Sequence, residues 1–306
     1  MVFYFSGTGN TRWAAEQLAA ATGERLLFIP DELKGTCRYT LTEGERIGFC
    51  FPVHGWQPPH IVRQFIKRLA ISTSEGQPPL ASQPSPSATR HYCYALVTYG
   101  DSAGRCLEML NRELAVAGLQ ATGLFGLRMP ESYVCLPFMY TDSPAREHEK
   151  LETSARELEH FADLIRRRVS DQRHFRPGYA PWAYTHLIGR FFNGCLITDS
   201  AFTVDAERCI HCGRCAQVCP TGNIALVSLN ANDRPAGNTR QASSDAAQAA
   251  REAQPCLQQA TKDAVPAWKH DGNCTSCLAC YHYCPRHAIN CGPLTHRRGQ
   301  YYFGHK

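Results

Sequence analysis

No run of apolar residues in this chain approaches the eighteen or so that a membrane-spanning helix requires, so the sequence offers no such helix. Runs of one charge are equally scarce. The formal net charge is +5, yet only Arg166 to Arg168 form a run of three basic residues, and scattered basic residues make no nucleic-acid footprint. No basic stretch or small-residue cleavage site precedes the apolar run at residues 2–5; no secretory leader is expected, and the thiols should stay reduced in an oxygen-poor cytoplasm. The glycine-bearing loop after that run contains no lysine, so it is not a Walker A loop. Arg12 stands where the third glycine of a dinucleotide fingerprint would be, and no second fingerprint is visible.

Cysteine, in contrast, is abundant, with 16 in 306 residues. Eight fall into two runs of one spacing, Cys209-x-x-Cys212-x-x-Cys215-x-x-x-Cys219-Pro220 and Cys274-x-x-Cys277-x-x-Cys280-x-x-x-Cys284-Pro285. The first three thiolates of each run can bend around one cluster, while the fourth points away. This resembles the bacterial ferredoxin pattern, in which the fourth cysteine ligates the other run's cluster. On that pattern Cys209, Cys212, Cys215 and Cys284 hold one 4Fe-4S cubane, and Cys274, Cys277, Cys280 and Cys219 the other. Pro220 and Pro285 fix φ at the turn out of each run. Structural zinc is the competing reading, but it usually uses two separated Cys-x-x-Cys knuckles. Of the remaining cysteines, Cys50 and Cys93 fall in expected strands as small core residues; Cys37, Cys106, Cys135, Cys195 and Cys291 have no telling spacing. His211 and His282, inside the cluster loops, either tune the clusters or face solvent.

At the other end, residues 2–5 read as a strand, Ser6-Gly7-Thr8-Gly9-Asn10-Thr11 as a phosphate loop, and 11–22 as a helix with Trp13, Leu18 and Ala21 on its buried side and Gly23 as its stop. Backbone N-H groups and the Ser6, Thr8, Asn10 and Thr11 side chains would converge on an anion at the positive end of that helix. Strand patterns at 25–29, 47–53, 91–99 and 122–129 alternate with helical ones at 58–70, 105–117 and 144–169. Such alternation predicts an α/β doubly wound, flavodoxin-like sheet of five parallel strands in the order 2-1-3-4-5. A ligand in such a sheet sits beyond the carboxyl ends of the strands, at the switch point. The loops expected there are Pro52-Val53-His54-Gly55-Trp56, with His54 as a candidate proton donor, and Thr98-Tyr99-Gly100-Asp101 with Gly104. Trp56 and Tyr99 would stack on a flat ring or be packing residues. The Ser/Pro/Gln-rich stretch 71–90 reads as a surface loop.

Ser-x-Thr-Gly-x-Thr resembles the FMN phosphate loop of flavodoxins. Together with Phe51-Pro52-Val53, Thr98-Tyr99-Gly100, Met129-Pro130-Glu131-Ser132-Tyr133 and both cysteine runs, it makes the chain resemble single-chain flavodoxin-ferredoxin fusions over nearly its whole length. The resemblance implies an FMN domain at 1–170, Tyr133 among its cofactor residues, a two-cluster ferredoxin domain of small α+β type at 201–296, and electron transfer between the two. Cys219 and Cys274 are separated by 54 residues, so a long insertion near 229–269 is expected, with a helix at 244–265 broken at Pro255 and a non-ligand Cys256. The aromatic segment 171–200 would join and brace the domains, or less plausibly touch a membrane surface. Charge fits the same reading: residues 1–170 carry 18 Lys plus Arg against 18 Asp plus Glu, and 171–306 carry 14 against 9. The excess lies where anionic clusters, about 2− each, would sit. Electron transfer to a redox partner is the leading function, an FMN-dependent reductase of a small organic acceptor near His54, Trp56 and Tyr133 the second, and an iron-sulfur sensor or scaffold the third.

Overall fold

The computed structural model describes residues 1–73, 91–228 and 264–305. Residues 74–90 of the expected loop and 229–263 of the expected insertion, with Cys256, lie outside the described residues; Ala264 and Val265, expected to end a helix begun at 244, instead start a strand, so 264–268 belong to a two-stranded sheet and not to an insertion.

Strand β1 (Val2–Tyr4) lies at the centre of the switch in a parallel sheet, paired with β2 (Leu26–Phe28) on one side and β3 (Ile47–Pro52) on the other. β4 (Cys93–Tyr99) and β5 (Gly123–Arg128) continue the sheet beyond β3. Every residue of β4 is buried, and all but the last of β3 and β5. A strand covered on both faces has no need of alternation, which is why these segments read as unbroken apolar runs. A sixth strand, β6 (Gln172–His174), pairs with β5, so the order is β2-β1-β3-β4-β5-β6 and not the five strands expected. Its three residues are all polar, as suits an edge strand, and carry no hydrophobic signal.

Four helices cover this sheet: α1 (Asn10–Thr22), α2 (His60–Arg68), α3 (Cys106–Val116) and α4 (Pro144–Arg166). α1 ends at Gly23, whose positive φ lets its N-H reach Ala19 O. Its buried face is Ala14, Ala15, Leu18 and Ala19, while Trp13 is half-buried and Ala21 exposed. Small residues win the inner face because they let the helix lie close to the sheet. On α2, Ile61, Val62, Phe65 and Ile66 are buried, as their spacing predicts. α4 starts at Pro144 with Ser143 accepting from Arg146 N, the expected N-cap chemistry.

The chain divides into two compact units: 1–131 with 142–196, and 132–141 with 197–305 of the described residues. The boundaries therefore differ from a simple cut near 170. Segment 171–196 belongs to the first unit, to which it adds β6. The ten residues 132–141, read from the sequence as part of the flavin domain, belong to the second, where Val134 enters a core with Phe202, Ile224, Trp268, Tyr281 and Ile289.

In the second unit β7 (Phe202–Val204) pairs antiparallel with β10 (Ile289–Cys291), and β8 (Ile224–Ser228) with β9 (Ala264–Trp268). Each pair joins a strand before one cysteine run to the strand after the other. Two short helices, α5 (Arg214–Gln217) and α6 (Ala279–His282), sit between.

Candidate functional site

Both cysteine runs have one backbone. Positive φ occurs at His211, Gly213 and Gly222 in the first, and at Ser276, Leu278 and His287 in the second, each pair 65 residues apart. Helices α5 and α6 keep the same offset. Glycine takes a positive φ freely; Leu278 and the two histidines do so at a cost of roughly 1–3 kcal/mol each, which persists only where the surroundings dictate the shape. The fourth cysteine of each run is bonded alike: Asn223 N donates to Cys219 Sγ at 3.2 Å and Ala288 N to Cys284 Sγ at 3.2 Å. Amide bonds of this kind would stabilise a thiolate and tune a cluster.

The strand pairs bring the tail of each run to the head of the other. Cys284 lines one cavity with Cys209, Cys212 and Cys215. Cys219 stands in the electrostatic neighbourhood of Cys274, Cys277 and Cys280. Burial raises the Cys277 thiol to about 11 and those of Cys215 and Cys274 to about 12; neighbouring thiols add to the rise. Four crowded thiols of this kind become thiolates when cationic iron neutralises them, so the donor set suits a cluster. Among the described residues no three His, Cys, Asp or Glu side chains close around a single point as they would for one metal ion; a cubane spreads its four thiolates wider than a lone ion does. Cys212 is exposed in the first set, whereas the second set has no exposed member.

Sequence reasoning missed the polar support of the second set. Asn223, which bonds Cys219 Sγ, donates through Nδ2 to buried Asp199 at 2.8 Å, and Asp199 also receives His270 N at 3.0 Å and meets His270 Nδ1 at 2.8 Å. No spacing rule points from Asp199 to residues so far along the chain. His282 is buried, not solvent-facing: Nε2 lies 2.6 Å from Ser132 O and Nδ1 accepts from Tyr301 N. Burial lowers its pKa to about 4, so it is neutral and braces 132–141 and the C-terminal residues against α6. His211 Nδ1 lies 2.9 Å from Ala264 O.

In the first unit the loops after β1, β3 and β4 gather at one end of the sheet. Thr11 and Thr98 hydroxyls meet at 2.7 Å, and Phe5 and His54 rings stand edge to face at 6.2 Å. Ser6 Oγ accepts from Gly9 N, and Gly9, at φ 98°, turns the chain into α1. No side chain caps that helix, so its first turn keeps donors for an anion. Thr8, Asn10 and Thr11 are buried, and Asn10 Nδ2 donates to Pro130 O at 3.4 Å. This loop fits a phosphate.

His54 and Gln57 exchange both backbone hydrogen bonds across Gly55 and Trp56. Both central residues have positive φ, 52° and 58°, the signature of a type I′ turn. Trp56 is a poor residue for that conformation. Its ring is held by Ser102, which accepts from Nε1 at 3.1 Å, and by Tyr184 at 4.8 Å. The Tyr99 hydroxyl accepts from Arg176 N at 2.9 Å, and its ring lies against Gly126. Gly100 has no room for a side chain because the Glu131 carboxylate occupies it. Asp101 is exposed and Gly104 buried, Gly104 lying against Trp56 and Thr185. Pro52 ends β3, and Val53 N bonds Thr98 O. The enclosure of His54 lowers its pKa to about 4, as lost hydration penalises the imidazolium. Tyr133, expected beside the flavin, packs against the core of the second unit.

A family model described as "4Fe-4S binding domain" matches residues 202–225. No curated protein matches the chain. Among solved structures, the chain is similar to the Trp repressor binding protein of Bacillus subtilis (14% identity, TM-score 0.29, 52% of this chain and 97% of that one). It is similar also to two-electron reduced Megasphaera elsdenii flavodoxin (17%, 0.28, 53% and 96%). A third is the metal-soaked Flv1 flavodiiron core of Synechocystis (16%, 0.28, 54% and 35%). At such scores the fold assignment stands on the sheet's own strand order. The chain joins a flavodoxin-like sheet to a 4Fe-4S binding domain.

Proposed function

We propose that this chain moves electrons between one FMN and two 4Fe-4S clusters, and passes them to or from a redox partner. The observation that carries the reading is the repeat: three positive-φ positions, a short helix and an amide-to-sulfur bond recur 65 residues apart. A segment shaped like the one matched at 202–225 should hold the same kind of cluster. When bound, FMN would exchange electrons singly or in pairs, and each cubane singly.

The chain's own residues supply binding and orientation. Ser6, Thr8 and the first turn of α1 would receive the phosphate, and the loops at 52–56 and 98–104 would flank the ring. Trp56 and Tyr99 shape those loops by packing on Ser102, Tyr184 and Gly126. The reductase reading gains no support from these contacts, since Tyr133 is engaged in another core. Protein purified without oxygen should contain about eight irons, about eight sulfides and one FMN; iron near four, or tightly held zinc, would overturn the assignment.

A further inference from the structure

Residues 181–196 form a helical segment, partly wound as π-helix, with an inverted arrangement of polar and apolar side chains. Apart from Phe192, which is buried, its inner face is polar or small. Thr185 Oγ1 accepts from Arg105 N at 2.9 Å, Thr185 O from Gln57 Nε2 at 2.7 Å, and Asn193 Nδ2 donates to His54 O at 3.1 Å. Gly189 and Phe192 lie against Gly55. The other large apolar residues point the other way. Tyr179, Trp182, Leu187, Ile188 and Phe191 are 90, 55, 60, 47 and 61% exposed.

A helix that buries Thr185 and Gly189 and exposes Leu187, Ile188 and Phe191, with Phe192 alone of its large apolar residues turned in, largely reverses the pattern of a soluble surface helix. A cluster of this kind marks an interaction site. Charge narrows the occupant. From 172 to 198 there is no Asp or Glu, and Arg173, Arg176 and Arg190 are all exposed. A cavity of about 700 Å³ beside the face is lined by Arg105, Arg173, Phe175, Pro177, Trp182 and one acid, Glu108, which pairs with Arg105 and Arg173 and leaves Arg176 and Arg190 as the uncompensated charge of the segment. Tryptophan and tyrosine with protruding aliphatic side chains and arginines are the composition of a membrane-interface surface.

We propose that this face docks on a bilayer containing anionic lipids. Trp182, Leu187, Ile188 and Phe191 enter the boundary between headgroups and acyl chains, and Arg176 and Arg190 meet lipid phosphates. Because the inner side of the segment holds the 54–57 turn and the start of α3, docking places those loops at the membrane surface.

The test is sedimentation of the full-length holoprotein with phosphatidylcholine vesicles, with and without phosphatidylglycerol. Partition should require phosphatidylglycerol and weaken with salt. Leu187→Ser with Phe191→Ser should lower it about ten-fold or more. Arg176→Glu with Arg190→Glu should lower it comparably, by about ten-fold or more. Leu187, Phe191 and Arg190 side chains are exposed and Arg176 holds Tyr99 through its backbone N, which substitution keeps; iron and flavin content, measured on each variant, makes a failure of the cofactor reading separately visible. Absence of partition by the wild-type protein, or equal partition by the wild type and both variants, overturns the proposal. So does binding to an acidic soluble protein without partition to vesicles.

Discussion

Cys219 has the spacing of its own run and the surroundings of the other. Its thiol faces Cys274, Cys277 and Cys280 and receives Asn223 N. Cys219→Ser should therefore damage the cluster built on the second run and spare the one built on Cys209, Cys212 and Cys215, which electron paramagnetic resonance of the reduced variant would distinguish. His54 makes a different kind of prediction. Its folded pKa of about 4 lies below the ordinary value of 6.5. Between these values the unfolded chain binds the proton that the folded chain refuses, so stability from this group is full above pH 6.5 and falls as pH drops toward 4. Denaturant unfolding of the wild type should weaken over that window by more than that of His54→Gln; equal pH slopes would show that the imidazole is hydrated.

Among the elements, α4 is anchored by a buried ion pair. Lys150 Nζ lies 2.6 Å from Asp142 Oδ2, with the two side chains 1% and 7% exposed, and the same oxygen accepts from Glu131 N. Asp142→Ala leaves an ammonium buried without a partner and should cost about 3–5 kcal/mol of unfolding free energy; adding Lys150→Met should recover part of it. This pair was not legible in the sequence, because an ion eight residues from its partner matches no helical spacing when one of them precedes the helix. The buried strands were legible: 47–53 and 92–97 are apolar throughout because helices cover both faces. β6 was not, since Gln172, Arg173 and His174 pair through backbone alone and leave no side-chain signal. Nor was the transfer of 132–141 to the second core, which rests on Val134, Tyr133 and Cys135 in a loop without periodicity. The two cysteine runs needed no fold to be read, for their spacing is itself the constraint. The contacts of Trp56 with Tyr184 and Ser102, and of Tyr99 with Gly126, were not legible either, since they join residues far apart in the chain.

The two units each carry a core and a set of site residues from their own residues. The phosphate loop at 6–11 belongs to the first unit and all eight clustered thiols to the second. Loss of one cofactor should then leave the other's site standing. Thr8→Ala with Asn10→Ala removes two buried polar side chains at the start of α1. Losing a charge-assisted hydrogen bond to the phosphate costs about 1.5–3 kcal/mol, or roughly ten- to more than hundred-fold in FMN affinity. Asn10 also holds Pro130 O, so the single Thr8→Ala variant separates loss of a ligand contact from loss of that brace. Both variants should be isolated with little flavin and about eight irons, their clusters still reducible by dithionite. Electron delivery to the physiological partner should then fail, and return when FMN is supplied in excess over the weakened dissociation constant. Wild-type delivery by the flavin-free variants would leave the clusters as the whole of the electron path and remove FMN from the mechanism.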